Sequence, residues 1–165
     1  MRMRVFGPAL AFALLPALTP ADEAPVVDHQ PVLCTLPEKP LSICAEISDD
    51  GSVARARVYF RKTGSDYYAF VDMVFTGVSY CATVPAPREK TKAVEYYVQA
   101  VDDGYQPTRT STYQVQVQPP CEFPPLEKDP AKAAAIKVFA THKKQGKKLD
   151  GGFVAAGVTF VPAGP

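Results

Sequence analysis

The sequence predicts an all-β protein, one antiparallel sandwich of seven strands followed by a proline-rich C-terminal extension. Three observations carry this. Between residues 25 and 118, apolar and polar side chains alternate with period two; the runs are short; and clusters of Gly, Asp, Ser and Pro separate them with no helical period in between. The 165 residues and 47% apolar composition suit one ordinary domain with extensions.

The first strand spans residues 26–33 and leads through the proline-rich connection 37–40 to a second at 41–48, with Leu41, Ile43, Ala45 and Ile47 on one face. Asp49-Asp50-Gly51 is a turn. The third strand, 53–61, sets Arg55, Arg57 and Arg61 against Ala56, Val58 and Phe60, so it is half exposed. The fourth and fifth cover 67–75 and 78–84; in the fifth, Cys81 and Thr83 face away from Tyr80, Ala82 and Val84. The sixth, 93–101, carries Val94, Tyr96, Val98 and Ala100 on one face and ends at Asp102-Asp103-Gly104, and the seventh is 110–117.

Upstream of the strands, Met1-Arg2-Met3-Arg4 is basic, residues 5–18 are apolar, and Thr19-Pro20-Ala21 offers small residues for cleavage, the pattern of a secretory signal peptide at 1–21. The apolar run is short for a membrane span, and no later segment reaches about 20 apolar residues, so a mature chain without a transmembrane segment is expected. Export, periplasmic or secreted, makes disulfides permissible for Cys34, Cys44, Cys81 and Cys121. No pair has CxxC spacing, which argues against redox or zinc chemistry. With 18 Lys and Arg against 17 Asp and Glu, the net charge of +1 supplies no field for nucleic acid.

The segment Glu95-Tyr96-Tyr97-Val98-Gln99-Ala100-Val101-Asp102 resembles the penultimate strand of bacterial fibronectin type III and immunoglobulin-like modules. Ala56-Arg57-Val58-Tyr59-Phe60-Arg61 and Tyr80-Cys81-Ala82-Thr83-Val84-Pro85-Ala86 resemble matching strands, so the likeness covers residues 26–118; the tryptophan such modules usually bury has no counterpart here. The resemblance implies adhesion, spacing or partner binding and no particular chemistry. It also makes the second and fifth strands neighbours, which pairs Cys44 with Cys81; alternating strand directions then bring Cys34 to Cys121.

The module thus spans 22–121, a stiff linker rich in proline spans 122–130, and an extension spans 131–165. Residues 122–165 hold seven lysines against four carboxylates, a net +3, whereas 26–121 hold nine basic and eleven acidic side chains, a net −2. Asp129-Pro130 reads as an N-cap with proline at the first helical position, so a short helix over 131–143 is expected, either docked or fraying. Lys143-Lys144-Gln145-Gly146-Lys147-Lys148 suits a solvated loop or a contact with an anionic surface. Residues 153–161 can form an extra strand, added to the module or to a partner's sheet edge.

Candidate sites are few. His29 and His142 are the two histidines, and neither has a partner in sequence that would make a catalytic pair, so no enzyme is expected. Asp49, Asp50, Asp102 and Asp103 lie in loops that meet at one pole of such a sandwich and could ligate calcium; ordinary Asp-Gly turn chemistry is the plainer account of them. Tyr59, Tyr67, Tyr68, Tyr97 and Tyr113 would suit protein or carbohydrate contacts if several shared one face. The expectation is an exported, non-enzymatic interaction or structural module that binds a cell-envelope or secreted protein through its tail, with a carbohydrate-binding accessory module as the alternative and no cofactor beyond calcium.

Overall fold

A computed structural model describes residues 22–121 and 135–164; the expected signal peptide at 1–21, the expected linker at 122–130 and the start of the extension lie outside the described residues. The described residues form twelve strands: β1 (Val26–Asp28), β2 (Cys34–Thr35), β3 (Leu41–Ser48), β4 (Val53–Lys62), β5 (Ala69–Asp72), β6 (Val74–Phe75), β7 (Tyr80–Val84), β8 (Ala93–Asp102), β9 (Pro107–Arg109), β10 (Tyr113–Val117), β11 (Ile136–Ala140) and β12 (Val158–Val161). A small sheet has the order β1-β3-β7-β6, and a large one runs β12-β11-β5-β4-β8-β10-β2 with β9 alongside β8.

The expected seven strands become sheets of four and eight, because one predicted run is divided between the sheets and short strands form outside the predicted runs. The run 26–33 is a strand only over β1, which joins β3 in the small sheet; past Pro31, which has no N–H to give a ladder, the chain reaches the large sheet, where β2 joins β10 just beyond the predicted run. Residues 67–75 split at buried Met73, whose amide donates to the Ala56 carbonyl at 2.9 Å. Asp72 before it pairs with β4, and Val74 after it pairs with β7. Nor is the arrangement wholly antiparallel, since β2 runs parallel to β10 and β12 parallel to β11.

The period-two pattern becomes the core. Leu41, Ile43, Ala45, Ala82 and Val84 of the small sheet meet Ala56, Val58, Phe60, Val94, Tyr96, Val98 and Val115 of the large one in a single buried cluster. Fully burying each larger aliphatic or aromatic side chain contributes about 1.5–3 kcal/mol before entropy is counted. Cys44 and Cys81 sit directly opposite one another on β3 and β7, pointing away from this core, and are bridged with Cα atoms 4.1 Å apart. Cys34 is bridged to Cys121 with Cα atoms 5.8 Å apart.

The helix expected over 131–143 is not formed at Ile136–Ala140, which is β11, antiparallel to β5. Ile136, Val138 and Ala140 turn inward and Lys137 and Phe139 outward; this alternation offers an apolar face to the open edge of β5, a gain that outweighs helix propensity. The extra strand is shorter than expected, Val158–Val161. Within the connection between β11 and β12, Phe153 is 2% exposed and meets Phe60 edge-on at 5.1 Å, so the extension completes the module's core.

Candidate functional site

The outer face of the large sheet carries a row of rings. In β4, Ala56, Val58 and Phe60 point inward, so Arg57, Tyr59 and Arg61 point outward; the same alternation turns Phe70 and Asp72 of β5, Glu95 and Tyr97 of β8 and Phe139 of β11 to that side. Strand register aligns them, since Phe139 opposes Phe70, Phe70 opposes Tyr59, and Tyr59 opposes Tyr97. Ring centroids are 4.9 Å apart for Phe139–Phe70, 5.4 Å for Phe70–Tyr59 and 4.8 Å for Tyr59–Tyr97, the first and last being stacked. Tyr68 closes on Tyr97 edge-on at 5.1 Å.

Cations cover this row. The guanidinium of Arg57 lies 4.0 Å from the centre of Phe70, that of Arg61 4.4 Å from Tyr68 and that of Arg109 4.8 Å from Tyr97, while the Lys137 ammonium is 5.1 Å from Phe139. Arg57 also binds Asp72 at 2.8 Å and Arg61 binds Glu95 at 2.7 Å. The Tyr97 phenol is raised above its ordinary value by burial first and by the neighbouring Tyr59, against the lowering effect of Arg109. Of the five tyrosines singled out in the sequence, Tyr59, Tyr68 and Tyr97 share this face. Tyr67 instead stacks on His142 at 4.6 Å, and Tyr113 turns inward beside His29 at 5.4 Å. Phe70, Phe139 and Arg109 escaped the sequence reading; their signal was the outward phase of the alternation, which only register joins into a row.

Both histidines have structural employment. His29 Nδ1 donates to the Cys44 carbonyl at 2.7 Å, which leaves Nε2 to accept from the Tyr96 hydroxyl at 2.7 Å. Tyr96 is fully buried, and burial pushes its phenol up to about 12, so it keeps its proton as donor. His142 Nδ1 accepts the Lys144 amide at 3.1 Å and caps the 3-10 turn Lys143–Gln145. The rest of the basic run leads to Lys147 and Lys148, which line a groove of about 410 Å³ with Arg88, Leu149 and Phe160.

At one pole, the β3–β4 turn and the end of β8 bring Asp49, Asp102 and Asp103 close together, with Asp22 added from the start of the described chain. Asp50 is exposed at the margin and acts on Asp49 through its charge. Asp49 is raised above the usual carboxylate value by lost hydration first, then by Asp102, Asp50 and Asp22. Among the described residues, no three His, Cys, Asp or Glu side chains stand in a ready liganding arrangement.

Fold and surface together define a disulfide-bridged all-β protein with two sheets and an aromatic–cation outer face. No protein-family model matches the chain, and a search of curated proteins gives no match. Among the described residues, no helix is long and apolar enough to cross a membrane.

Proposed function

We propose that this chain is an exported, non-enzymatic module of the immunoglobulin or fibronectin type III kind that binds another protein of the cell envelope or extracellular space through the outer face of its large sheet. The observation that carries the reading is the row Phe139–Phe70–Tyr59–Tyr97 under Arg57, Arg61, Arg109 and Lys137. Tyr, Phe and Arg are the residues enriched where proteins bind one another. Two disulfides fit an oxidising compartment, as does the signal-peptide pattern at 1–21. Four cations against Asp72 and Glu95 favour a partner surface that presents carboxylates.

The tail does not act as a separate arm in this reading. Its Val138, Ala140 and Phe153 are buried in the module, and it reaches the face through Lys137 and Phe139. Carbohydrate binding is the second reading, favoured by the alignment of three tyrosines on one side. Sugars stack on free ring faces, however, and here guanidinium groups or other rings occupy them, which places the protein reading first.

The test is capture from a cell-envelope extract with the chain from Asp22 onward, comparing wild type with Arg109→Glu/Lys137→Glu and with Glu46→Lys on the opposite sheet. A protein retained by wild type and Glu46→Lys and lost from the double variant supports the reading. Unchanged capture by all three overturns it. Polysaccharide binding that survives the charge reversals and fails in Tyr59→Ala would establish the carbohydrate reading instead.

A further inference from the structure

Strand β12 ends the large sheet, and among the described residues nothing pairs with its far side. Its Val158 and Phe160 stand opposite Ile136 and Val138 of β11 and share their inward phase, so they lie on the other side of the sheet from the ring row. There they line the groove of about 410 Å³ together with Leu149, Arg88, Lys147 and Lys148.

The backbone of this edge has a fixed phase. The Ile136 amide donates to the Gly157 carbonyl at 2.9 Å, so in the parallel ladder residues 157, 159 and 161 turn their backbone groups to β11, while Val158 and Phe160 turn theirs away. The Val158 amide is taken by the Ala155 carbonyl at 3.1 Å. The Phe160 amide and the carbonyls of Val158 and Phe160 are left facing the open edge, a template for one more strand.

Charge decides what fits it. The groove's own carboxylate, Asp150, is engaged by the Ser65 hydroxyl at 2.8 Å and the Gly152 amide at 2.7 Å. The ion pairs among the described residues, Arg57–Asp72 and Arg61–Glu95, lie elsewhere, so Arg88, Lys147 and Lys148 are uncompensated. Arg88 is also held in position, its Nε donating to the Phe153 carbonyl at 3.0 Å. A second copy paired edge to edge on β12 would set these cations against their own images, which disfavours a dimer.

We propose that the β12 edge and its groove bind an extended acidic peptide, which joins the large sheet as a further strand. Its backbone pairs with Val158 and Phe160; its inward side chains are apolar where they meet Phe160 and Leu149, and acidic where they meet Arg88, Lys147 and Lys148. Main-chain bonds supply affinity in such strand addition, and the groove supplies the choice of side chains. The site is separate from the aromatic face and independent of it.

The experiment selects a displayed random heptapeptide library on the chain from Asp22 onward, then titrates the best peptide by fluorescence polarisation. Enriched peptides should combine Asp or Glu with alternate apolar residues. Lys147 and Lys148 are exposed, so Lys147→Glu/Lys148→Glu should fold, as circular dichroism will show, and should weaken binding by about tenfold or more. With wild-type protein, methylating the peptide amides of one alternate phase should abolish binding and methylating the other phase should spare it, which a purely electrostatic contact would not show. A library without acidic enrichment, affinity unchanged in the double variant, or equal effects of the two methylated phases would overturn the proposal. So would loss of binding in Arg109→Glu/Lys137→Glu, which would place the peptide on the aromatic face instead.

Discussion

The Tyr96 hydroxyl donates to Nε2 of His29 at 2.7 Å and accepts the Val32 amide at 2.9 Å. One phenol, anchored in the middle of the large sheet, thereby clamps the stretch of chain that passes from the small sheet to the large one. Tyr96→Phe keeps the ring and strands two polar partners. A loss of about 1–3 kcal/mol is expected, read as a lower urea midpoint with an unchanged slope.

The same pair makes stability depend on pH. Burial holds His29 below its ordinary value of 6.5, against the opposing pull of its bond to the Cys44 carbonyl and of the Asp28 charge. In the unfolded chain, the ring takes up a proton as pH falls through about 6.5, while the folded ring still resists it. Stability is therefore complete above that value and declines as pH drops below it. Tm measured between pH 7.5 and 5.5, values about one unit either side of the free-ring pKa, should fall more steeply for wild type than for His29→Gln.

Phe153 belongs to the extension by sequence and to the core by position. Phe153→Ala should cost about 3–5 kcal/mol. Cutting the chain after Cys121 should do more harm, because it also removes Val138 and Ala140 and bares the edge of β5. Aggregation or a large drop in Tm of the shortened chain would be the sign; a shortened chain that melts like the whole one would contradict this account of the tail.

The Cys34–Cys121 bridge spans a sequence separation of 87 residues. Replacing both cysteines with serine should cost about 4 kcal/mol in the chain-entropy picture, whereas opening Cys44–Cys81, at a separation of 37, should cost less. Chemical denaturation of the two double variants gives the comparison directly.

The sequence shows which side of each strand is buried, because burial follows the period-two phase: Leu41, Ile43, Val58, Phe60, Val94 and Val98 were all legible. It does not show when a strand changes sheets, since Ala69, Val71 and Met73 keep their inward phase up to the crossing into Val74 and Phe75. Helix formers around Ile136 concealed a strand whose reason for existing is the distant edge of β5. The candidate sites divide in the same way. The Asp-Gly turns could be seen, while Asp22 is brought to them from a distant segment with Gln106 holding it, and the ring row depends on register across four strands.

Strands β2 and β10 lie parallel, and the Cys34–Cys121 bridge joins the same two ends of the module. If the chain is pulled at the two cysteines, force passes through that covalent link and bypasses the backbone between them. The enclosed segment, up to about 300 Å of contour at roughly 3.5 Å per residue, stays out of the load path while the link is intact. Under tension from its termini the protein would lengthen by releasing the flanking strands, β1 from β3 and β11 from β5, while the segment between the cysteines gives up length only when the link is reduced.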